Sequence, residues 1–197
     1  MARSRSQDYE LKRTAILHSA TQLFAQHGYA GTSINMITAG CNVSKALLYH
    51  YYPDKEAILF DILTRHLTHI VDVATRAAQA EQDRVYAICA ALLEAYRDAD
   101  AQHQVQLLAL KQLPLARQEG LRGLERRLIT IMSNAIAQEI PALAPGPLLK
   151  AVTMSAFGML NWHYLWFRED KGLSRDQYAH LVTTLILDGA ATMKPLT

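Results

Sequence analysis

The chain has 197 residues, half of them hydrophobic and under a fifth charged, which excludes a disordered protein and leaves one large domain or a small domain joined to a larger one. Ala and Leu dominate while Gly and Pro are sparse and clustered, so an all-α fold is expected. The net charge of +2 is unevenly spread: residues 1–55 hold six Lys or Arg against three Asp or Glu, whereas residues 56–197 hold fourteen against fifteen. A basic end on a near-neutral body suits a polyanion-binding head.

The N-terminal run MARSRSQDYELKR is basic with no apolar stretch behind it, so it does not read as a signal peptide. A first helix is predicted from about Gln7 to His27, because Ile16, Ala20, Leu23, Phe24 and His27 recur at helical spacing and Gly28 suits a left-handed cap. A short second helix follows in TSINMITAG, with Thr32 or Ser33 as its cap and Ile34, Ile37 and Cys41 on one face. In the turn Gly40-Cys41-Asn42-Val43, both Gly40 and Asn42 tolerate positive φ. Ser44 then caps a third helix, SKALLYHYY, with Val43 and Leu48 spaced as a hydrophobic staple, and Pro53 stops it. Two short helices joined by a four-residue turn behind a longer one form a helix-turn-helix. Three ordinary helices of a bundle are the plainer reading of the same segments.

A larger helical body follows. Asp54 to about Ala80 carries Ile58, Ile62, Leu63, His66, Leu67, Ile70, Val71 and Ala74 on one stripe. Further helices are expected at about 82–99, 102–113 (broken near Pro114) and 116–140; PALAPGP, Pro141 to Pro147, is the strongest breaker. A long apolar helix from Leu148 to about Arg168, the loop EDKGL, and a last helix opened by a Ser174/Gln177 capping box complete the chain. Ala151 to Phe167 is apolar enough to compare with a membrane span, but Thr153, Ser155, Asn161 and His163 interrupt it, so a buried helix and no membrane partner are expected.

No catalytic constellation is visible. Cys41 and Cys89, the only cysteines, lack metal-ligand spacing and fit a reducing compartment. His66, His69 and Asp72 follow one another at three-residue steps, a spacing that can hold a metal, yet no second helix offers a matching Cys or carboxylate set. With no Gly-rich phosphate loop or nucleophile motif, neither an enzyme nor a cofactor is expected.

The third helix asks for a partner. With Leu48 set inward and 100° per residue, Ala46 and His50 point outward, Leu47 and Tyr49 project sideways, and Lys45, Tyr51 and Tyr52 flank the buried line. Exposed rings and a leucine beside a lysine suit a DNA major groove: Ala46 and Leu47 fit thymine methyls, and Lys45 or His50 fits purine edges. Tyrosine hydroxyls, Lys55, Thr32 and helix N-terminal amides are placed to hold phosphates. Tyr51 and Tyr52 also admit a second reading, as packing between head and body, and Leu48 and Tyr52 are expected to root the helix.

The stretch GYAGTSINMITAGCNVSKALLYHYYPDKEAIL resembles the DNA-binding head of the TetR family of bacterial transcriptional regulators, over about residues 10–60. The resemblance implies an all-α chain with a three-helix head, residues 1–53, and an effector-binding and dimerisation body of about six helices, residues 54–197. It places Thr32 and Ser33 near a phosphate, puts Ser44, Lys45, Ala46, Leu47, Tyr49, His50 and Tyr51 on the recognition helix, and gives Lys55 a phosphate contact. Asn42 stands where the family usually has glycine, and Leu47 where it often has a smaller or polar residue.

The resemblance further implies a cytoplasmic homodimeric repressor, a double-stranded operator and a small-molecule effector, with the fourth helix as lever. Phe157, Leu160, Tyr164, Phe167, Leu181, Leu185 and Gly189 recur at helical spacing on the last two helices and are the expected pairing residues. His66, His69, Tyr86, Tyr96, His103, Gln106, Asn161 and Trp162 are the candidate effector contacts. The segment FGMLNWHYLWFREDKGLS resembles tails of TetR-type regulators that sense acyl-CoA thioesters or related acids; Arg97, Arg117, Arg122, Arg126 and Arg127 are the cations available to a CoA phosphate. The rival from another class is a helical small-molecule-binding protein or enzyme without a DNA role.

Overall fold

The computed structural model describes residues 2–143, 146–168 and 170–192, with side chains from Gln7 onward. Pro145 of the PALAPGP run and Glu169 of the EDKGL loop lie outside the described residues. Among the described residues there are nine α-helices, two short 3-10 turns and no strand. The helices fall into two compact units.

The first unit comprises the residues up to Leu67 together with Asp100–Arg122. It contains α1 (Ala2–Gly31), α2 (Ile34–Cys41), α3 (Lys45–Tyr51), the first part of α4 (Lys55–Ala77), α6 (Asp100–Ala109) and the start of α7 (Leu115–Glu139). Its core gathers most of the apolar faces predicted from periodicity: Ile16, Ala20, Phe24, Ile37, Leu48, Ile58, Ile62 and Leu63 are buried, whereas Leu23, Ile34 and Cys41 are half-buried and His27 is exposed. Packing therefore does not divide the chain at Pro53, because α6 and the start of α7 group with the head; α1 packs on both α2 and α6.

Gly28 interrupts α1 with φ 73 and ψ 164, and one further turn follows it to Gly31. The helix thus breaks where glycine was expected to cap it, then resumes. Where α1 meets α2, Ser19 Oγ donates to Ile37 O at 3.1 Å. A Cβ on Gly40 would lie 2.4 Å from that oxygen, so the absence of a side chain permits the approach.

The second unit comprises Thr68–Ala99 and the residues from Gly123 onward. It holds the rest of α4 and α7 with α5 (Arg84–Ala95), α8 (Pro147–Trp166) and α9 (Arg175–Ala191); α9 packs on α5 and α8. The α9 capping box forms as expected, Ser174 Oγ accepting from Gln177 N and Gln177 Oε1 from Ser174 N. Phe157, Leu160 and Phe167, expected at a pairing surface, lie instead in this unit's own core with Leu92, Met132 and Val182. Their period was right, but that face is the one covered by neighbouring helices of the same chain. Among the described residues, no helix is long and apolar enough to cross a membrane.

Candidate nucleic-acid interface

Local chemistry fixes α2 and α3. Ser33 Oγ accepts from Met36 N at 3.2 Å and Ser44 Oγ from Leu47 N at 3.1 Å, each satisfying an amide left over at a helix start. Between the helices Asn42 adopts φ 52 and ψ 44, the left-handed conformation asparagine tolerates, and Val43 N returns to Thr38 O at 3.1 Å. Those constraints set the direction in which α3 leaves the turn.

Two residues root α3. Leu48 is fully buried and Tyr52, the C-cap, is 5% exposed. Opposite them Lys45, Ala46, Tyr49 and His50 face solvent, and Tyr49 is 46% exposed. Leu47 is half-buried beside this face. Tyr51 is half-buried and stacks on Tyr9 of α1 with ring centroids 4.5 Å apart, while His50 meets it edge-on at 5.7 Å. Tyr51 thus ties α3 to α1, within the head.

Two expected phosphate ligands face inward. Thr32 is 2% exposed, and its hydroxyl lies within donating distance of Leu23 O (3.0 Å) and Gly28 O (2.9 Å). Its one proton is committed to these two carbonyls near the end of α1, so Thr32 is bonded back to the helix it follows. Lys55 Nζ donates to Tyr29 O at 2.7 Å and Thr32 O at 2.8 Å, and sits 4.3 Å from the Tyr29 ring centroid. A positive group on carbonyls at a helix end is favourable, and it leaves one of three ammonium donors for anything else. Ser33 and Ser44 are exposed, and their caps use only lone pairs.

The α3 C-terminus rests on a charged cluster that short-range sequence patterns do not reveal. Tyr52 Oη donates to Asp61 Oδ2 at 2.5 Å, and Arg13 Nη2 reaches the same oxygen at 2.9 Å. Burial alone would raise the Asp61 pKa, but hydrogen bonds from Tyr52, Arg65 and Arg13 and the Arg65 charge outweigh it and hold the carboxyl below its usual range. Burial also raises the Tyr52 phenol, and donation to Asp61 adds to it.

The eight candidate effector contacts separate. In the first unit His66 and His103 are buried with ring centroids 6.1 Å apart, and Gln106 is half-buried one turn along α6. In the second, Tyr96 is buried and its hydroxyl lies 3.3 Å from Asn161 Oδ1. His163, absent from that candidate set, is buried beside them among the rings of Tyr96, Phe167 and Tyr178, with centroids 6.0, 5.4 and 6.4 Å away. Only its place in a predicted apolar helix signalled it. His69 and Trp162 are exposed, and Tyr86 is half-buried, bonded to Asp176 and stacked on His180. Trp162 instead shares an outward apolar face on α8 with Met154, Leu165 and Trp166; α9 exposes Leu181, Leu185 and Gly189, while Tyr164 is half-buried.

A capped two-helix motif with one rooted and one open face, carried on an all-α chain, defines a helix-turn-helix DNA-binding regulator. Residues 16–62 match the model of bacterial regulatory proteins of the tetR family, and residues 78–190 match the tetracyclin repressor-like C-terminal domain. The chain belongs to the TetR family, whose members are transcription regulators, not enzymes. It is 34% identical to a TetR-family transcriptional regulator from Bordetella parapertussis 12822, covering 93% of this chain and 98% of that one with a TM-score of 0.84. It is 28% identical to the HTH-type transcriptional regulator HbdR of Aromatoleum sp. (strain CIB) over 80% of this chain and 69% of the relative. AibR, solved in complex with isovaleryl coenzyme A and operator DNA, shares the fold at 24% identity and a TM-score of 0.77, over 88% of this chain and 97% of AibR.

Proposed function

We propose that the chain is a ligand-responsive repressor that binds a palindromic operator as a homodimer and is released from it by a small molecule. The observation that carries DNA contact is the two-sided character of α3: Leu48 and Tyr52 root it, while Lys45, Ala46, Tyr49 and His50 are exposed to solvent. Lys45 and His50 read base edges, Ala46 and Leu47 contact thymine methyls, and Tyr49, Tyr51, Ser33 and Ser44 meet the phosphates. Lys55 adds at most its third donor. In a dimer the two heads meet half-sites about one helical turn apart, roughly 34–36 Å.

Pairing is supported by the outward face of α8 and α9, where Trp162 is 57% and Leu185 56% exposed beside Met154, Leu165, Trp166 and Leu181. Large apolar side chains exposed together on two packed helices favour a partner, and a second copy of the same two helices makes a closed four-helix contact. Two separate effector sites are candidates, one within each unit: His66 with His103 in the first, and Tyr96 with Asn161 and His163 in the second. We take an acyl-CoA as the effector class, because AibR, alike in fold, was solved with isovaleryl coenzyme A. The head, residues 1–53, then reads DNA, and residues 54–197 bind the effector and pair; the setting is the cytoplasm. Release follows only if the ligand binds better to the state whose heads are wrongly spaced.

The deciding measurement is affinity for the protein's own upstream DNA across salt concentration. Phosphate neutralisation gives a steep negative slope. A flat response leaves a helical ligand-binding protein with no DNA role. Addition of acyl-CoAs, free acids and aromatic compounds to the bound complex then identifies the ligand that releases it.

A further inference from the structure

The root of α3 is more elaborate than burial requires. A phenylalanine at position 52 would fill the same buried space, yet the tyrosine hydroxyl enters a four-residue cluster. Tyr52 Oη donates to Asp61 Oδ2 at 2.5 Å; Arg13 Nη2 and Nε reach that oxygen at 2.9 and 3.2 Å, and Arg13 Nε also lies 3.1 Å from Tyr52 Oη. The other carboxylate oxygen accepts from Arg65 Nε at 3.1 Å. One carboxylate therefore joins α1, the end of α3 and α4, all within the first unit.

Geometry explains why such a joint matters to this helix. Apolar packing fixes how deep a ring sits but is non-directional, whereas charge-assisted hydrogen bonds are short and angle-dependent. With seven residues, α3 is roughly 10 Å long, so a tilt of about 10° at Tyr52 displaces the far end by about 2 Å. Hydrogen bonds to base edges fail over a much smaller error, since donor and acceptor must stay within about 3.2 Å. Lys45 and Tyr52 are opposite ends of the same short rod.

We infer that Tyr52, Asp61 and Arg13 are positioning residues for DNA recognition: they set the angle of α3 on α4 so that its outward face meets the bases in register. This rests on the DNA-binding reading above. Lost positioning removes base contacts while leaving phosphate contacts, which tolerate small shifts, in place.

The test uses the full-length protein, an operator duplex selected from a random library by the unsubstituted protein, and an unrelated duplex of equal length. Tyr52→Phe keeps the ring and Asp61→Asn keeps the shape, and both are measured at a temperature where circular dichroism shows the variants folded. Operator affinity is expected to fall about tenfold in each, the order expected from one charge-assisted hydrogen bond. Affinity for the unrelated duplex and the salt slope stay unchanged, and the double variant loses no more than the stronger single one. Unchanged operator affinity in Tyr52→Phe, a proportional loss on both duplexes, or an additive double variant overturns the inference. If the unsubstituted protein selects no operator, the DNA-binding reading itself falls and takes this inference with it, a result seen before any variant is made.

Discussion

Removing the Thr32 hydroxyl by Thr32→Val is expected to cost about 1–2 kcal/mol in urea denaturation, because the one buried proton within reach of Leu23 O and Gly28 O is lost. The salt slope of DNA binding should stay as it was, which separates this role from phosphate contact. Asp61 makes a pH prediction at the same scale. Its folded-state pKa lies below the ordinary 3.8, so its stabilisation is present above that value and is lost as pH falls through the lower, folded value. The stability of the unsubstituted protein should therefore drop more steeply than that of Asp61→Asn below about pH 4. For base readout, Lys45→Ala or His50→Ala should relax sequence preference, whereas Tyr49→Phe should weaken binding to all sequences alike; competition between duplexes distinguishes the two outcomes.

Among the elements, the α1–α2 contact has the least room. Gly40→Ala is expected to destabilise by about 1–3 kcal/mol, since the new methyl meets the buried Ser19 Oγ, which is itself bonded to Ile37 O. Ser19→Ala removes the obstructing atom, so the double variant should recover part of that loss in thermal denaturation. Much of this level was legible from sequence, because caps and periods are short-range signals. Ser33, Ser44 and Ser174 cap as their neighbours require, Asn42 takes the left-handed turn, and every residue of the predicted α4 stripe is buried. What was not legible depended on distant partners. Thr32 and Lys55 look like phosphate ligands, yet the fold puts backbone carbonyls within their reach. Phe157, Leu160 and Phe167 have the right spacing for an interface, but spacing does not say which helix of which chain covers a face.

For the whole molecule, the exposed α8–α9 surface gives the sharpest expectation. Trp162→Arg with Leu185→Glu should leave the fold intact, as both side chains are more than half exposed, yet shift the protein to monomer in sedimentation at micromolar concentration. Operator affinity should fall with it, because two linked half-site contacts become independent ones. The cluster around Asp61 has a consequence in time. Arg13 joins it from 39 and 48 residues away along the chain, whereas Tyr52 and Asp61 are only nine apart and the caps of α2 and α3 close over three. Local turns form early and long loops close late, so this joint should be absent from the folding transition state. Arg13→Ala would then leave the refolding rate nearly untouched and accelerate unfolding, a signature readable in the two limbs of a chevron plot.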